Sequence, residues 1–289
     1  MSHSALQRLT VLPQYFVPQH ALSRAAGCLA DSTWPAIKNP MIDFFIQRYG
    51  IDMNLAAEPS PHAYASFNDF FTRALKDGIR PITEADIASP ADGAISQIGQ
   101  IEQEKLFQAK GHYYTLNQLL GGDENSAQHF KNGHFATIYL SPKDYHRVHM
   151  PVTGTLKKMI YVPGRLFSVN TLTAQNVPSL FARNERVICL FDTELGPMAV
   201  ILVGAMIVAS IETVWAGLIT PPKRQLKQFT YPQAEEIRLE KGEEMGRFKL
   251  GSTVIVLFGE NVVNWTEDLK EQSPVVMGQT LGEANPNRG

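Results

Sequence analysis

Between residues 87 and 258 the chain is a succession of short apolar runs, each closed by a turn signal, and few folds can absorb that pattern. The runs cover 94–101, 135–140, 155–162, 186–191, 198–215 and 249–258. Asp92-Gly93, Asn132-Gly133, Thr153-Gly154, Pro163-Gly164 and Leu195-Gly196-Pro197 stand at their ends. Helical insertions are few; residues 115–120 form one. Such spacing predicts a mostly antiparallel, β-sandwich-like domain. The longest apolar run, 198–211, falls short of the roughly 20 residues a bilayer span needs. With Gly204 and Ala205 in its middle, it reads as two buried strands or one long bent one.

The first 63 residues follow a different period. Leu6, Leu9, Leu12 and Phe16 recur at helical spacing, broken by Pro13. Ala21, Leu22, Ala25, Ala26 and Leu29 form a second stripe, with Arg24 on the other side. Ile42, Phe45, Ile46 and Tyr49 sit at i, i+3, i+4 and i+7, and Gly50 ends the run. Stripes of this kind pack on the protein's own core or dip into a lipid interface, and spacing alone serves both readings. A further helix is predicted from Ser66, with a capping box to Asp69 and a face of Phe67, Phe70, Phe71, Ala74 and Leu75, ending at Arg80-Pro81. The expected class is therefore α+β: an amphipathic helical segment over 1–63, then a β-rich domain over 64–289. Residues 220–242 read as an exposed polar loop, and the tail from 284 as frayed.

Composition narrows the chemistry. A formal net charge of −2 over 289 residues gives no basic field for nucleic acid. Two cysteines, Cys28 and Cys189, are too few for a disulfide framework and fit a reducing, cytosolic setting. Gln7, Arg8, Pro13 and Gln14 interrupt anything resembling a signal peptide, and no transmembrane helix is expected.

Four residues can carry chemistry. Ser252 follows Gly251 at the entry of a strand, where glycine marks a bulge or a close approach to the backbone. Asp92 sits in a turn signal. His146 and His149 lie in Ser141-Pro142-Lys143-Asp144-Tyr145-His146-Arg147-Val148-His149, where Ser141, Pro142 and Asp144 predict one helical turn before His146. In an extended segment the two histidines, three apart, project to opposite sides. No third ligand with metal spacing accompanies them, so no metal site is expected. A serine hydrolase elbow is disfavoured because Ser252 lacks the second glycine of that motif.

Gly-Arg-Phe-Lys-Leu-Gly-Ser-Thr-Val, residues 246–254, resembles the self-cleavage site of phosphatidylserine decarboxylases. Ser89-Pro90-Ala91-Asp92-Gly93, the block from Asp144 to Pro151, Phe181-Ala182-Arg183-Asn184-Glu185-Arg186 and Ile211-Glu212-Thr213-Val214-Trp215-Ala216-Gly217 resemble the same family in the same order, closest to its bacterial proenzymes. The resemblance implies cleavage between Gly251 and Ser252 into chains 1–251 and 252–289, with Ser252 becoming a covalent pyruvoyl group. It makes His149 the base for that cleavage and Asp92 the residue that fixes its tautomer, with Ser252 the nucleophile. His146 then acts in decarboxylation and proton return, and the pyruvoyl ketone forms a Schiff base with the headgroup amine of phosphatidylserine, yielding phosphatidylethanolamine. It further implies a homodimer and peripheral binding to anionic lipid on the cytoplasmic face of the cell membrane, through the 1–63 segment. Two alternatives stay open: a pyruvoyl decarboxylase of a free amino acid, and a non-enzymatic lipid-binding β module.

Overall fold

The computed structural model describes residues 11–206, 210–219, 225–231, 236–249 and 252–287. Nine strands organise the site: β1 (Gly93–Gln100), β2 (His134–Leu140), β3 (Arg147–His149), β4 (Gly154–Val162), β5 (Arg186–Thr193), β6 (Gly196–Gly204), β7 (Ser210–Thr213), β8 (Glu244–Lys249) and β9 (Ser252–Phe258). The largest sheet is antiparallel and runs β4-β5-β6-β9-β2-β1, with Lys227–Thr230 outside β4 and Pro274–Val275 outside β1. A second sheet runs Gly217–Leu218, β7, β8, β3. A third joins Ile87–Ala88, Thr280–Ala284 and Val263–Trp265.

The apolar run of β9 is unbroken because both of its faces are covered. Val254, Val256 and Phe258 pack with Met198, Val200 and Leu202 of β6 against Val148, Ile211 and Phe248 of the second sheet. Ile255 and Leu257 turn the other way, onto Leu116, Leu119 and Phe181 of short helices. Each such side chain contributes about 1.5–3 kcal/mol on burial, so this strand is anchored from both sides. The expected α+β, sandwich-like architecture is the observed one.

The chain changes sheet three times at one level. β9 pairs with β2 and β6, placing Ser252 opposite Leu140 and Gly204. β8 pairs with β3 and β7, placing Arg247 opposite Arg147 and Lys249 opposite Ser210. The strands flanking residues 141–146, 205–209 and 250–251 thus leave one sheet and enter the other side by side. The run 198–215 is accordingly two strands in different sheets, and so is 249–258.

Other expectations need revision. The helix after Ser66 lasts only Phe67–Phe71, α3 below, because Leu75 is drawn into an isolated bridge with Ala56. Ser66 Oγ accepts from Asp69 N (3.1 Å), but the Asp69 carboxylate returns to Ala65 N (2.9 Å), one residue before the cap. Within 220–242, Lys227–Thr230 and Arg238–Leu239 both pair with β4; the four side chains of the first are exposed, and the second is only two residues long, so neither carries a strand pattern in the sequence. The tail is tied as far as Asn285, through Ala284 N to Asp86 Oδ2 and Asn285 N to the Val262 carbonyl, both 2.8 Å.

The two long N-terminal helices, α1 (Gln19–Ala30) and α2 (Pro35–Tyr49), take opposite fates. Ile42, Phe45, Ile46 and Tyr49 of α2 pack onto Phe67, Phe70 and Phe71 of α3, and Gly50 closes the helix in the left-handed region at φ 63°. In α1 the buried residues are Gln19, Ser23, Gly27 and Ala30, while Leu22 and Leu29 are exposed. Gln19 Oε1 accepts from Leu166 N and Gln14 Oε1 from Ser168 N, both at 2.9 Å, so this segment docks by its polar side. Phe16 is 80% exposed, and Trp34 and Phe44 are each 64% exposed. Leu6 and Leu9 lie outside the described residues.

Candidate active site

Ser252, first residue of β9, is fully buried, and its Oγ has no hydrogen-bond partner among the described residues. Leaving a hydroxyl in that state costs about 1–3 kcal/mol, and the pairing on both flanks of β9 holds it there. Gly251, the other half of the expected cleavage site, lies outside the described residues.

The Gly204 position opposite Ser252 is itself clamped. Asn184 Nδ2 donates to the Gly204 carbonyl (2.9 Å) and to that of Phe167 (2.8 Å), and Gly204 N donates to the Glu185 carbonyl (2.9 Å). Arg186 is buried and gives its guanidinium to the carbonyls of Gln118, Leu119, Ala182 and Asn184. The 181–186 block is therefore a brace behind the Ser252 strand.

On the other flank, residues 141–146 form a tight turn that is not a helix. Asp144 N donates to the Ser141 carbonyl (2.9 Å), and the Asp144 carboxylate accepts from Ser141 N and Oγ, each at 2.7 Å. The Asp144 carbonyl accepts from His146 Nδ1 (2.7 Å), and the His146 carbonyl accepts from Phe248 N (3.0 Å). A carbonyl can only accept, so the His146 proton sits on Nδ1 and the lone pair on Nε2. That Nε2 is buried without a hydrogen-bond partner among the described residues, and the ring packs 4.0 Å, centroid to centroid, from Phe71. Burial pushes the His146 pKa down to about 3, with the Asp144 hydrogen bond opposing. The imidazole stays neutral.

His149 ends β3 in the same tautomer by other means. Its Nδ1 donates to the Gly242 carbonyl (2.8 Å), and its Nε2 accepts from the Tyr145 hydroxyl (3.0 Å). Burial lowers its pKa too, against the Gly242 hydrogen bond and the charges of Glu244 and Asp92. Burial raises the Tyr145 pKa to about 12, so the phenol keeps its proton.

Asp92 is near enough for its charge to act on His149, but its hydrogen bonds go to other groups. Its carboxylate is taken by Arg80, Oδ2 from Nη2 at 2.6 Å and Oδ1 from Nε at 3.1 Å, and Oδ1 also accepts from Met277 N (2.8 Å). A guanidinium fork satisfies both carboxylate oxygens at once. The tautomer of His149 is therefore fixed by the Gly242 carbonyl, and Asp92 reaches His149 through its charge. Asp92 stays beside the 141–146 turn because the next residue is glycine: a Cβ on Gly93 would run into the Tyr139 carbonyl oxygen.

A cleft of about 760 Å³ opens beside the 141–146 turn, lined by Asp92, Tyr145, Ser141, Lys143, Arg80 and Arg73, with Ile51, Leu55 and Val276 as its apolar wall; Ser252, His146 and His149 do not line it. Sequence reasoning missed Tyr145, Arg73 and the Gly242 carbonyl. Tyr145 carries a signal, lying four residues before His149 in the same block, whereas Arg80 reads in the sequence only as the end of a helix. A backbone carbonyl leaves no mark in a sequence. The orphaned, buried Ser252 hydroxyl suits a carbonyl cofactor made in place from that residue, since the group would need no separate pocket.

Comparison with known proteins gives the family. The profile of the phosphatidylserine decarboxylase family matches residues 67–283, and a second profile, described as PSD, matches 9–50. The chain belongs to the phosphatidylserine decarboxylase family. It is 63% identical over 281 residues to the phosphatidylserine decarboxylase proenzyme of Stutzerimonas stutzeri, covering 96% of this chain and 95% of that one. Identity is 62% to a Pseudomonas fluorescens proenzyme and 58% to that of Azotobacter vinelandii, each covering 96% of this chain and 99% of the relative. A phosphatidylserine decarboxylase of this family converts phosphatidylserine to phosphatidylethanolamine, and that is the activity of this chain.

Proposed function

We propose that this decarboxylase is made as a precursor that cuts itself between Gly251 and Ser252 and works from the cut end. The observation that carries the reading is the Ser252 hydroxyl, buried and unpartnered where β8 gives way to β9. His149 takes the Ser252 proton on Nε2 as the hydroxyl attacks the preceding carbonyl; its Nδ1–H stays on Gly242, and Glu244 and Asp92 steady the imidazolium. For this, Nε2 exchanges the Tyr145 hydroxyl for that of Ser252. When present, the pyruvoyl group supplies a ketone that draws the electron pair released as carbon dioxide departs. His146, with an Nε2 lone pair that has no hydrogen-bond partner among the described residues and Phe71 across its ring, is suited to holding and returning a proton at the reacting carbon.

The exposed Phe16, Leu22, Leu29, Trp34 and Phe44 support docking of the 1–63 segment on anionic phospholipid, with 64–289 as the catalytic part. Among the described residues no helix is long and apolar enough to cross a membrane. Peripheral placement on the cytoplasmic face and a homodimer complete the reading, supported by the family resemblance. A decarboxylase of a soluble amino acid would have no use for the outward apolar residues. Ser252→Ala tests the core of the proposal: a denaturing gel and intact mass should show one uncut, inactive chain. A fragment ending at Gly251 in that variant would sink it.

A further inference from the structure

We propose that Arg73 is the phosphodiester-binding residue of the cleft, with Lys143 as a second cation at its mouth; this rests on the decarboxylase reading. Arg73 is only 5% exposed, yet it lines the cleft. Its Nη2 donates to the Lys143 carbonyl (3.3 Å), its guanidinium carbon lies 5.4 Å from the Phe70 ring centroid, and its Nη1 is buried with no partner among the described residues. The other arginine of the cleft, Arg80, is committed to Asp92, and Arg147 beyond it to Glu244. Neither acid beside Arg73 is free: Asp92 is held by Arg80, and Asp144 is bonded to Ser141. A buried guanidinium without a carboxylate is a costly feature that a bound anion would relieve.

The chemistry selects which anion. The substrate brings two, a carboxylate and a phosphodiester. The carboxylate must leave as carbon dioxide, and a firm ion pair would stabilise it in the ground state and slow that step. The phosphodiester is unchanged by the reaction and matches the guanidinium fork. Placement agrees, since the carbonyl that Arg73 grips belongs to Lys143, three residues before His146 on the same turn. An anion there would share the cleft with Tyr145, whose hydroxyl donates to His149 Nε2.

The test is binding to the uncut Ser252→Ala protein, read by calorimetry with two probes. Short-chain phosphatidylethanolamine carries the phosphodiester and no carboxylate; free serine carries the reverse. Arg73→Gln should weaken the phosphatidylethanolamine probe by about ten-fold or more, the equivalent of one lost charge-assisted hydrogen bond, and leave serine unchanged. In the self-cleaved enzyme the same change should raise KM for phosphatidylserine while kcat stays within a few-fold. Unchanged phosphatidylethanolamine binding, or a loss confined to serine, overturns the assignment. If Arg73→Gln does not fold, Arg73→Lys and the exposed Lys143→Gln carry the test, each expected to weaken the lipid probe several-fold; no change in both overturns it. A parent protein that binds the probe but neither cuts itself nor releases carbon dioxide would count against the decarboxylase reading and not against the anion site.

Discussion

The N-terminal helices and the Ser252 corner break the same rule in opposite directions. Around α1, Phe16, Leu22 and Trp34 face outward while Gln14 and Gln19 hold the segment to the body and Ser23 is buried. At the corner, Ser252, His146 and His149 face inward, and two of the three bring a polar atom with no hydrogen-bond partner among the described residues. Neither arrangement helps the isolated chain to fold. Apolar groups turned out call for a partner that removes them from water; polar groups turned in call for a reaction that uses them. Between the two lies α2, whose stripe packs inward as an ordinary amphipathic helix does, so the inversion belongs to α1 and the segments around it.

The largest effect is expected from His149→Ala, which should leave a single uncleaved chain on a denaturing gel, since it removes the imidazole whose protonated form the charges of Glu244 and Asp92 favour. Normal cutting in that variant would remove His149 from the corner's chemistry. His146→Ala should still cut itself, at least slowly, but lose on the order of 10² to 10⁴ in carbon dioxide release. If it fails to cut while His149→Ala cuts normally, the two roles are reversed.

The corner should also show in stability. His146 titrates near 3 when folded and near the ordinary histidine value of about 6.5 when unfolded, so the unfolded chain binds more protons between those limits. Stability contributed by the neutral ring is present above about 6.5 and lost as pH falls. Between pH 7 and 5 the loss should be about 2 kcal/mol in urea unfolding of the uncut Ser252→Ala protein, and His146→Gln should flatten the profile. The smallest effect belongs to the helices. Exchanging Phe16 or Trp34 for serine should reduce affinity for anionic vesicles about ten-fold or less each, with stability moving by no more than about 0.5 kcal/mol. A large loss of stability with no change in vesicle binding would show these side chains to be core residues.

What the sequence showed depended on scale. Strand runs were legible because period and turn residues are local, and the change of sheet between Lys249 and Ser252 left a trace in Gly251 and Ser252. The edge strand Lys227–Thr230 was not legible, since all four side chains are exposed and its pairing to β4 is made by backbone alone. In α1 the stripe was seen correctly, but which side of it faced the protein was set by Gln14 and Gln19 meeting Ser168 and Leu166, about 150 residues away in sequence. The same holds at the corner. His146, His149 and Ser252 were readable by type and motif, whereas Arg80 on Asp92 and Gly242 on His149 are long-range pairings that replace the contact the motif suggested.

The position of β9 in its sheet has a kinetic consequence. Ser252–Phe258 is paired along its whole length to β2 on one side and β6 on the other, so a chain severed just before Ser252 keeps its new end inside the hydrogen-bonded lattice. Once such a protein is melted, however, its pieces are separate molecules. Regaining the native state then requires a bimolecular encounter in which a 38-residue fragment threads a central strand between two others. The uncut precursor should recover from denaturant at a rate independent of concentration, whereas the mature enzyme should slow on dilution. Its survival is then a matter of how slowly it opens, because it was assembled along a route that maturation removes.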